Sequence, residues 1–467
     1  MAVKSEFKKS KRGHTYVQWA VAILANSTLL TYGLQSGWIS PMTKVLKSAL
    51  SPTTVPLLDE EISLIASMMC LSAIFGVFGY AYIADAYGRR MGVMTIAALQ
   101  ALSWIVKLCS TTKTGLVIAR IICGLPAGGC FNIIPMYVKE ISQDDIRGIL
   151  GSLMILMQNI GVLAMYTMGS YLPYHTVLWI ALTVPLVTIL LMLKAPESPA
   201  FLVKKGRVEK AAKTIALLRG LDISDKHVQN EISLIRNEDA YCKSLPKMSF
   251  LSIFKHEAWR RGFILSMLIM SIASCNGNFA IVTYAAAILS SSGVSVSPEL
   301  QALSFPAVML LGSFLSISCV EKMGRKVILS GAFLVTTISL AALASCLLLQ
   351  RQGGSPPAWL PISALVLSLC AYAAGVSPIP YIIMTEMFNF EIRAKVLGCV
   401  VTYAWFMSFV QLATFGPLTA ALGAHWTFYV FAGINFLGAA VSLVLLPETK
   451  GKSVEDIELL LLKKELY

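Results

Sequence analysis

Twelve long runs of apolar residues divide this chain, and they constrain its fold more than any other feature of the sequence. Most of them reach the roughly 20 residues that an α-helix needs to cross about 30 Å of hydrocarbon. Because the runs are continuously apolar, they predict membrane-spanning helices and not the alternating strands of a membrane barrel. The predicted spans are Val17–Ile39, Ile62–Ile83, Val93–Cys109, Leu116–Val138, Ile149–Met168, Thr176–Leu193, Gly262–Leu289, Ala302–Val320, Val327–Leu349, Trp359–Met384, Val396–Leu418 and Trp426–Leu446.

Composition excludes a large soluble protein with buried helices. Only 13% of the residues are charged and 56% are hydrophobic, whereas soluble domains carry about a quarter charged residues. The polar N-terminus leads into an apolar run of full span length, so no cleavable signal is expected. The ten cysteines lie mostly in or against apolar runs and are interpreted as small buried side chains, without a disulfide framework or metal-site spacing.

The net charge of +13 is unevenly placed along the chain. If the N-terminus is cytoplasmic, nearly all basic residues lie on the inner side, which predicts that both termini are cytoplasmic. The anionic inner leaflet then accounts for the charge, and no nucleic-acid partner is expected. Arg120 falls within a span, and the basic residues expected outside are Lys44, Lys47, Lys107, Lys113 and Arg351.

Three charged motifs occur twice, at a nearly constant separation. This repetition predicts two parallel six-helix halves related by an axis along the membrane normal. The matched segments are Asp85-Ala-Tyr-Gly88-Arg89-Arg90 with Glu321-Lys-Met-Gly324-Arg325-Lys326, Glu140 and Arg147 with Glu386 and Arg393, and Pro196-Glu197-Ser198 with Pro447-Glu448-Thr449.

The repeats also suggest domain boundaries. We expect an N-terminal half at 1–194, a cytoplasmic linker at 195–261, a C-terminal half at 262–449 and a cytoplasmic tail at 450–467. The period of KKGRVEKAAKTIALLRG predicts short amphipathic helices in the linker. This segment is either a simple connection or a helical brace under both halves.

The matched charges all fall at the cytoplasmic ends of predicted helices. Acid and base on neighbouring helices can pair there, and glycine permits a tight turn. Such pairs can hold the inner side shut while the outer side is open. The alternative is that the charges are only topology signals and helix caps.

With PESPAFL at 196–202 and PETKGKS at 447–453, these motifs make the chain resemble the sugar porter family of the major facilitator superfamily over nearly its whole length. Within that family it is most like the insect facilitated trehalose transporter-like members. The resemblance implies an all-α membrane protein with twelve transmembrane helices and a cytoplasmic helical linker. It also implies gating salt bridges at Asp85, Arg89, Arg90, Glu140, Arg147, Glu197, Glu321, Arg325, Glu386 and Arg393.

The chain departs from the family at the positions that usually contact a hexose. The seventh-helix motif Gln-Gln-Leu-Ser-Gly-Ile-Asn is replaced by Ala273-Ser-Cys-Asn276-Gly277-Asn278-Phe279. Other usual polar or aromatic positions hold Ile155, Tyr381 and Ala404, and the arginine of PESPR is Ala200. These departures leave the inference of fold and transport intact, but they remove glucose as a secure substrate.

A sugar site needs amide side chains for the hydroxyl groups and aromatic rings for the apolar ring faces. In this architecture it lies near mid-membrane between the halves. The alternative for each polar residue is an interhelical hydrogen bond, worth about 0.6 kcal/mol. The candidate substrate-binding residues are Gln35, Trp38, Gln158, Asn159, Asn276, Asn278, Tyr284, Tyr381 and Trp405.

Facilitated diffusion is the expected mechanism. None of the 25 acidic residues falls in the middle third of a predicted span, where a proton-coupled porter needs a carboxylate. By resemblance, the proton symporters of the family carry an aspartate at the position that Gln35 occupies in this chain. No phosphate-binding loop or catalytic constellation is found, so neither ATP, another cofactor, a metal nor enzymatic activity is expected.

The expected function is therefore uniport of a sugar, trehalose or a hexose, by a plasma-membrane protein that needs no oligomer. Two alternatives stay open. One is a sugar sensor that binds without transport, and the other is a carrier of a different small polar solute.

Overall fold

The computed structural model describes residues 14–48, 51–53, 55–110, 112–244, 252–284, 303–357, 359–388, 390–452 and 454–463, and within these ranges the chain is helical with no strand. The first half contains α1 (Tyr16–Gly37), α2 (Ile39–Leu46), α3 (Asp59–Ala86), α4 (Arg89–Cys109), α5 (Lys113–Ile141), α6 (Asp144–Tyr171) and α7 (Tyr174–Met192). The connecting helices are α8 (Pro199–Lys204), α9 (Val208–Arg219), α10 (Lys226–Ser244) and α11 (Ser252–Lys255). The second half contains α12 (Glu257–Ser274), α13 (Asn278–Thr283), α14 (Ser304–Met323), α15 (Arg325–Arg351), α16 (Trp359–Ala371), α17 (Ile379–Met387), α18 (Phe390–Leu422) and α19 (Ala424–Val444), followed by α20 (Val454–Lys463).

The twelve-helix prediction is confirmed. Eleven helical segments of the described residues are long and apolar enough to cross a membrane, and α14 supplies a shorter apolar segment, Ser304–Val320. The predicted limits Leu289 and Ala302 lie outside the described residues. Several helices exceed the predicted spans, as α18 does by starting at Phe390, because a helix continues beyond the hydrocarbon through residues that tolerate water.

Small residues let the helices of each half approach closely. Gly124 and Gly128 of α5 lie one turn apart and face α3, where a Cβ on Gly128 would fall 2.2 Å from the Ala73 carbonyl oxygen. Where α1 crosses α6, a Cβ on Gly33 would fall 2.1 Å from the Gln158 carbonyl oxygen. Such backbone contact replaces the hydrophobic driving force that is missing between helices in lipid.

The tenth span is interrupted by a π-helical turn. Tyr372–Val376 forms this turn between α16 and α17, and the Ser377 N–H donates to the Tyr372 carbonyl at 2.9 Å. Pro378 and Pro380 follow directly and have no N–H to continue the helical ladder. The hydrogen-bond pattern of an α-helix is therefore interrupted between α16 and α17, and this is where the span can kink.

The same tight turn joins α3 to α4 and α14 to α15. Its glycine is Gly88 in the first half, with φ 100° and ψ 174°, and Gly324 in the second, with φ 89° and ψ 164°. This backbone region is essentially reserved for glycine. A Cβ would also strike a carboxylate, since it would lie 2.4 Å from Glu197 Oε2 in the first turn and 2.5 Å from Glu448 Oε2 in the second.

The predicted linker helices are present, and α8 and α9 contact the first half, whereas α11 packs against α12 of the second half through Ile253. Gln18 Nε2 of α1 donates to the Leu218 carbonyl of α9 at 3.0 Å, and Arg219 Nη1 donates to the Ile141 carbonyl at 2.9 Å. The second half has a separate partner in α20, where Glu458 accepts from Trp259 Nε1 at 2.7 Å. A brace that spans both halves stays a prediction.

Replacing Gly324 with alanine tests the turn. We expect Gly324→Ala to lower the free energy of unfolding by about 1–3 kcal/mol, because it forces a side chain into a glycine-only backbone conformation and into Glu448. The matched control is Gly331→Ala in α15, where a Cβ meets no atom within 4 Å. The measurement is the thermal unfolding midpoint in detergent, and equal midpoints for the two variants would contradict the assignment.

Candidate functional site

Arg89 joins three segments of the first half at the end of the bundle that we call the network end, marked by Arg89, Glu140, Arg325 and Glu386. Its Nε and Nη2 donate to the two oxygens of Glu140 on α5, at 2.8 and 2.7 Å. Nη1 donates to the Ala84 carbonyl of α3 at 2.9 Å. Ser198 Oγ donates to the same Glu140. The bidentate geometry is the strongest form of such a pair.

Glu197 completes this network through the backbone. Its Oε1 accepts from the N–H groups of Arg89, Arg90 and Ser198, at 2.9, 3.1 and 2.8 Å. The first two are unsatisfied donors at the start of α4, so Glu197 acts as a distant helix cap. The side chain of Arg90 lies at the C-terminal end of α7. Its Nε donates to the Met192 carbonyl at 3.0 Å, and its Nη2 donates to the Leu193 carbonyl at 2.6 Å.

The second half repeats the arrangement. Arg325 Nε and Nη2 donate to Glu386 Oε1 at 3.1 and 2.8 Å, and Thr449 Oγ1 donates to Glu386 Oε2 at 2.6 Å. Glu448 accepts from the Arg325 N–H at 2.9 Å and from the Lys326 N–H at 3.1 Å.

The two networks differ in the pKa of the capping acid. Burial raises the pKa of Glu197 above its usual range, despite the backbone hydrogen bonds it accepts. Burial also raises the pKa of Glu448, but hydrogen bonds from four backbone N–H groups together outweigh it, and the pKa of this carboxyl lies below its usual range. Repeated sequence thus gives repeated geometry with different electrostatics, because Glu197 is more deeply enclosed.

The remaining predicted gating residues act inside their own half. Asp85 pairs with Lys204 of α8 at 2.9 Å, on an exposed surface. Arg147 Nη2 donates to the Ser142 carbonyl at 3.2 Å, and its counterpart Arg393 donates through Nε to the Phe388 carbonyl at 3.0 Å. The side chain of Glu321 lies outside the described residues. Both networks therefore tie together helices of the same half.

An aromatic cluster joins the two halves near the middle of the spans. Tyr32 of α1 lies edge-on to Phe131 of α5 and to Trp405 of α18, with ring centroids 5.3 and 6.3 Å away. Phe131 and Trp405 are 6.1 Å apart. Tyr381 of α17 is 41% exposed although it belongs to an apolar span, Trp359–Met387. Sequence reasoning selected Trp405 and Tyr381 and missed Tyr32 and Phe131, for which the only signal was a mid-span aromatic ring.

The seventh span breaks at Asn276 and Gly277, between α12 and α13. Asn276 Oδ1 accepts from the Asn278 N–H at 2.7 Å, and the Asn276 carbonyl accepts from Asn435 at 2.8 Å. Asn278 Oδ1 accepts from Ser368 at 2.7 Å. Both asparagines are fully buried, so the structure places them in the break itself, where they satisfy the backbone and neighbouring helices.

Gln411 holds the same break from α18. With its amide oriented so that the oxygen accepts from the Gly277 N–H at 2.6 Å, its nitrogen donates to the Ser274 carbonyl at 3.1 Å. Two free backbone groups created by the break are thus satisfied.

The halves meet most closely away from the network end. Asn159 Nδ2 of α6 donates to Ser313 Oγ of α14 at 3.3 Å, and the Tyr166 hydroxyl donates to the Val282 carbonyl of α13. Within the second half, Tyr284 stacks on Phe415 of α18 with a centroid distance of 5.0 Å. Gly416 of α18 touches α3, since a Cβ there would lie 2.5 Å from Ser63 Oγ. Gln158, beside Asn159, is half-buried.

Gln35 and Trp38 lie in a different place, a buried pocket of the first half. The Lys107–Arg120 pocket consists of Gln35, Trp38, Trp104, Lys107 and Arg120, all 0–1% exposed. The sequence analysis counted Lys107 with the basic residues of the outer side, and the structure shows that its side chain is buried within the predicted span. Helix α4 continues to Cys109, and this places Lys107 one turn after Trp104 on the same buried face. That spacing was the signal that could have located it.

Exchanging each capping acid for glutamine should separate the two networks. All three backbone donors to Glu197 use Oε1, which glutamine also has. Glu448 uses Oε1 for Arg325 and Oε2 for Lys326, so glutamine leaves one N–H without an acceptor. We expect Glu448→Gln to cost about 1–3 kcal/mol of stability and Glu197→Gln to cost less. Thermal unfolding midpoints measure this, and a larger loss for Glu197→Gln would refute the cap geometry.

Relatives with a known name match nearly the whole chain. The facilitated trehalose transporter Tret1 of Bombyx mori is 27% identical over 446 residues, which cover 95% of this chain and 86% of that protein. Its namesake from Anopheles gambiae is 26% identical over 447 residues, covering 95% of this chain and 56% of that longer protein.

Solved structures agree on the fold. The inward open conformation of the xylose transporter XylE from E. coli has a TM-score of 0.76 at 19% identity, covering 95% of this chain and 99% of that chain. The POT family transporter PepTSo has a TM-score of 0.66 at 10% identity, covering 92% and 97%. At these identities the likeness establishes the fold, a multi-pass bundle of the major facilitator type. The family model described as "Sugar (and other) transporter" matches residues 21–461, and the chain therefore belongs to the sugar transporter family.

Proposed function

We propose that this chain is a facilitative transporter of a sugar, trehalose or a hexose, that works by alternating access. The observation that carries the proposal is the aromatic cluster of Tyr32, Phe131 and Trp405, because it joins both halves at mid-span. A substrate bound there contacts both moving bodies. Family membership and relatives named facilitated trehalose transporters support the same function.

The cluster suits the apolar faces of a sugar ring. Trp405 is 9% exposed and Tyr381 is 41% exposed, so both can meet a ligand that enters from the network end. The half-buried Gln158 offers an amide close to this level for sugar hydroxyl groups. Asn159 follows Gln158 on α6 and lies at the same level, and Tyr284 lies toward the end opposite the network end, where it can meet the other end of a disaccharide.

The sign of the buried charges supports passive transport. Among the described residues, the charged side chains that are fully buried are all basic: Arg89, Lys107, Arg120, Arg219 and Arg325. A proton-coupled porter needs a titratable carboxylate within the membrane. The solute gradient alone then sets the direction of transport.

The two charge networks keep each half rigid while the halves rock against each other. Arg89 and Arg325 each bind helices of one half, and the contacts between halves lie toward the opposite end. We place the network end and both termini in the cytoplasm of a plasma-membrane protein, on the positive-inside distribution of charge. The halves then correspond to 1–194 and 262–449, with the linker at 195–261 and the tail at 450–467.

A carrier of a different small polar solute is the second candidate. It is favoured by the placement of Asn276 and Asn278, whose oxygen atoms bind protein groups. The oxygen atoms of two amides that could have served a sugar are thereby committed to protein groups, while no partner is found among the described residues for their Nδ2 atoms.

Tracer uptake into proteoliposomes tests the function. We expect saturable uptake of trehalose or a hexose, lowered roughly 10-fold or more by Trp405→Ala, since losing an aromatic contact worth about 1.4 kcal/mol changes a rate or affinity tenfold. The matched control is Trp426→Ala in α19, because Trp426 is 55% exposed on the outside of the bundle.

Each of the other outcomes would support a different function or a different substrate path. Saturable binding without flux would replace the transporter with a sugar sensor. Flux of a polyol or another solute that sugars do not inhibit would establish the second candidate. Equal losses for the two tryptophan variants would remove the aromatic cluster from the substrate path.

A proton gradient should leave transport unchanged. We expect the same initial rate and the same final sugar distribution with and without an inward proton gradient, because the described spans bury no carboxylate. The measurement compares the final internal and external sugar concentrations. Accumulation above the external concentration, driven by protons, would overturn uniport.

A further inference from the structure

The Lys107–Arg120 pocket concentrates positive charge inside the first half. Lys107 Nζ lies 4.0 Å from the centre of the Trp104 ring and 4.6 Å from that of Trp38. Arg120 Cζ lies 5.1 Å from the same Trp38 ring. Both cations are therefore gathered around one indole, and both are 0–1% exposed.

Among the described residues, the hydrogen-bond acceptors of these two cations are neutral oxygen and sulfur atoms. Lys107 Nζ donates to Gln35 Oε1, and Arg120 Nη1 donates to the Gln35 carbonyl at 2.7 Å and to the Met69 sulfur at 3.6 Å. Two buried charges that share one glutamine are far from compensated, since cation–π contacts supply only part of the lost hydration.

Two of the three acids in the first turn of the adjoining helix α3 have other partners. Asp59 and Glu61, at the start of α3, pair with Lys47 and Lys113 at the surface. The other titratable groups around the pocket are Cys70, Cys123, Tyr174 and Tyr284, all neutral when protonated. Within the described part of the chain, no carboxylate is fully buried.

Three further donors in this pocket lack an acceptor. Arg120 Nε, Trp38 Nε1 and Trp104 Nε1 are buried, and no hydrogen-bond partner is found for them among the described residues. Buried polar groups are normally satisfied, so an occupant that accepts hydrogen bonds is required. Water accepts hydrogen bonds but carries no charge, and it would leave both cations uncompensated in a membrane.

We propose that the Lys107–Arg120 pocket binds a small inorganic anion of the halide class, with chloride as the physiological example. An anion meets both requirements, because it accepts hydrogen bonds from unpartnered N–H groups and offsets the buried charge. It is a resident ion of the first half, separate from the aromatic cluster between the halves. The proposal is independent of which solute the protein transports.

Thermal unfolding of the purified chain in different salts tests the site. The probe is sodium chloride or bromide, compared with sodium gluconate at the same ionic strength, since gluconate is too large for a fully enclosed pocket. We expect a saturable rise of about 2 °C in the unfolding midpoint with halide, as binding to the folded state alone requires.

Two substitutions in the pocket and one outside it assign the effect. Gln35→Glu places a carboxylate beside Lys107, so it should raise the midpoint in gluconate and abolish the response to halide. Lys107→Met keeps the apolar stem against the tryptophan rings but removes one charge, and it should also abolish the response. The control is Lys113→Gln, whose side chain is 63% exposed; it should respond as the unaltered protein does.

Each outcome of these measurements either supports or overturns the anion site. Saturation by halide that Gln35→Glu and Lys107→Met remove, and that Lys113→Gln keeps, supports the site. Equal midpoints in chloride and gluconate overturn it, as does a halide response that persists in both pocket variants. A response to small carboxylates without one to halide also overturns it, because the occupant would then be a different class of ligand.

Discussion

Each half of this protein depends on one arginine at the first residue of a helix. Arg89 and Arg325 contribute twice to the same junction, with the guanidinium bound to Glu140 or Glu386 and the backbone N–H bound to Glu197 or Glu448. The junction thus fixes three segments that are far apart in sequence. A charge-assisted hydrogen bond is strong where water is scarce.

The parts of the fold that the sequence predicts are those that repeat or that obey a simple length rule. Span length and continuous hydrophobicity located the helices, and the doubled motifs placed Arg89, Glu140, Arg325 and Glu386 at helix ends, where acid and base can meet. These predictions succeeded because a charged side chain at a helix end has few possible hydrogen-bond partners. Because each motif occurs in both halves, every acid and base of one half has a counterpart at the matching position of the other half.

The candidate site was less accessible from sequence, for a physical reason. A polar residue inside a span is equally suited to a ligand, another helix or a broken backbone, and only the packing decides. Asn276 and Asn278 belong to the helix break, Gln35 and Trp38 belong to a pocket within one half, and Trp405 with Tyr381 lies near the junction. Lys107 was counted with the outer basic residues, and only the packing of α4 shows that its side chain is buried against Trp38 and Trp104.

The π-helical turn at Tyr372–Val376 has a mechanical consequence for the tenth span. One added residue in the turn, followed by two prolines without N–H groups, leaves α16 and α17 joined by a short region with few ladder bonds. Helix α17 carries both Tyr381 and Glu386, so one stiff rod links the exposed aromatic ring to the Arg325 junction. That rod can tilt about the turn as a lever while α16 keeps its packing, which couples displacement at the middle of the bundle to displacement at its charged end.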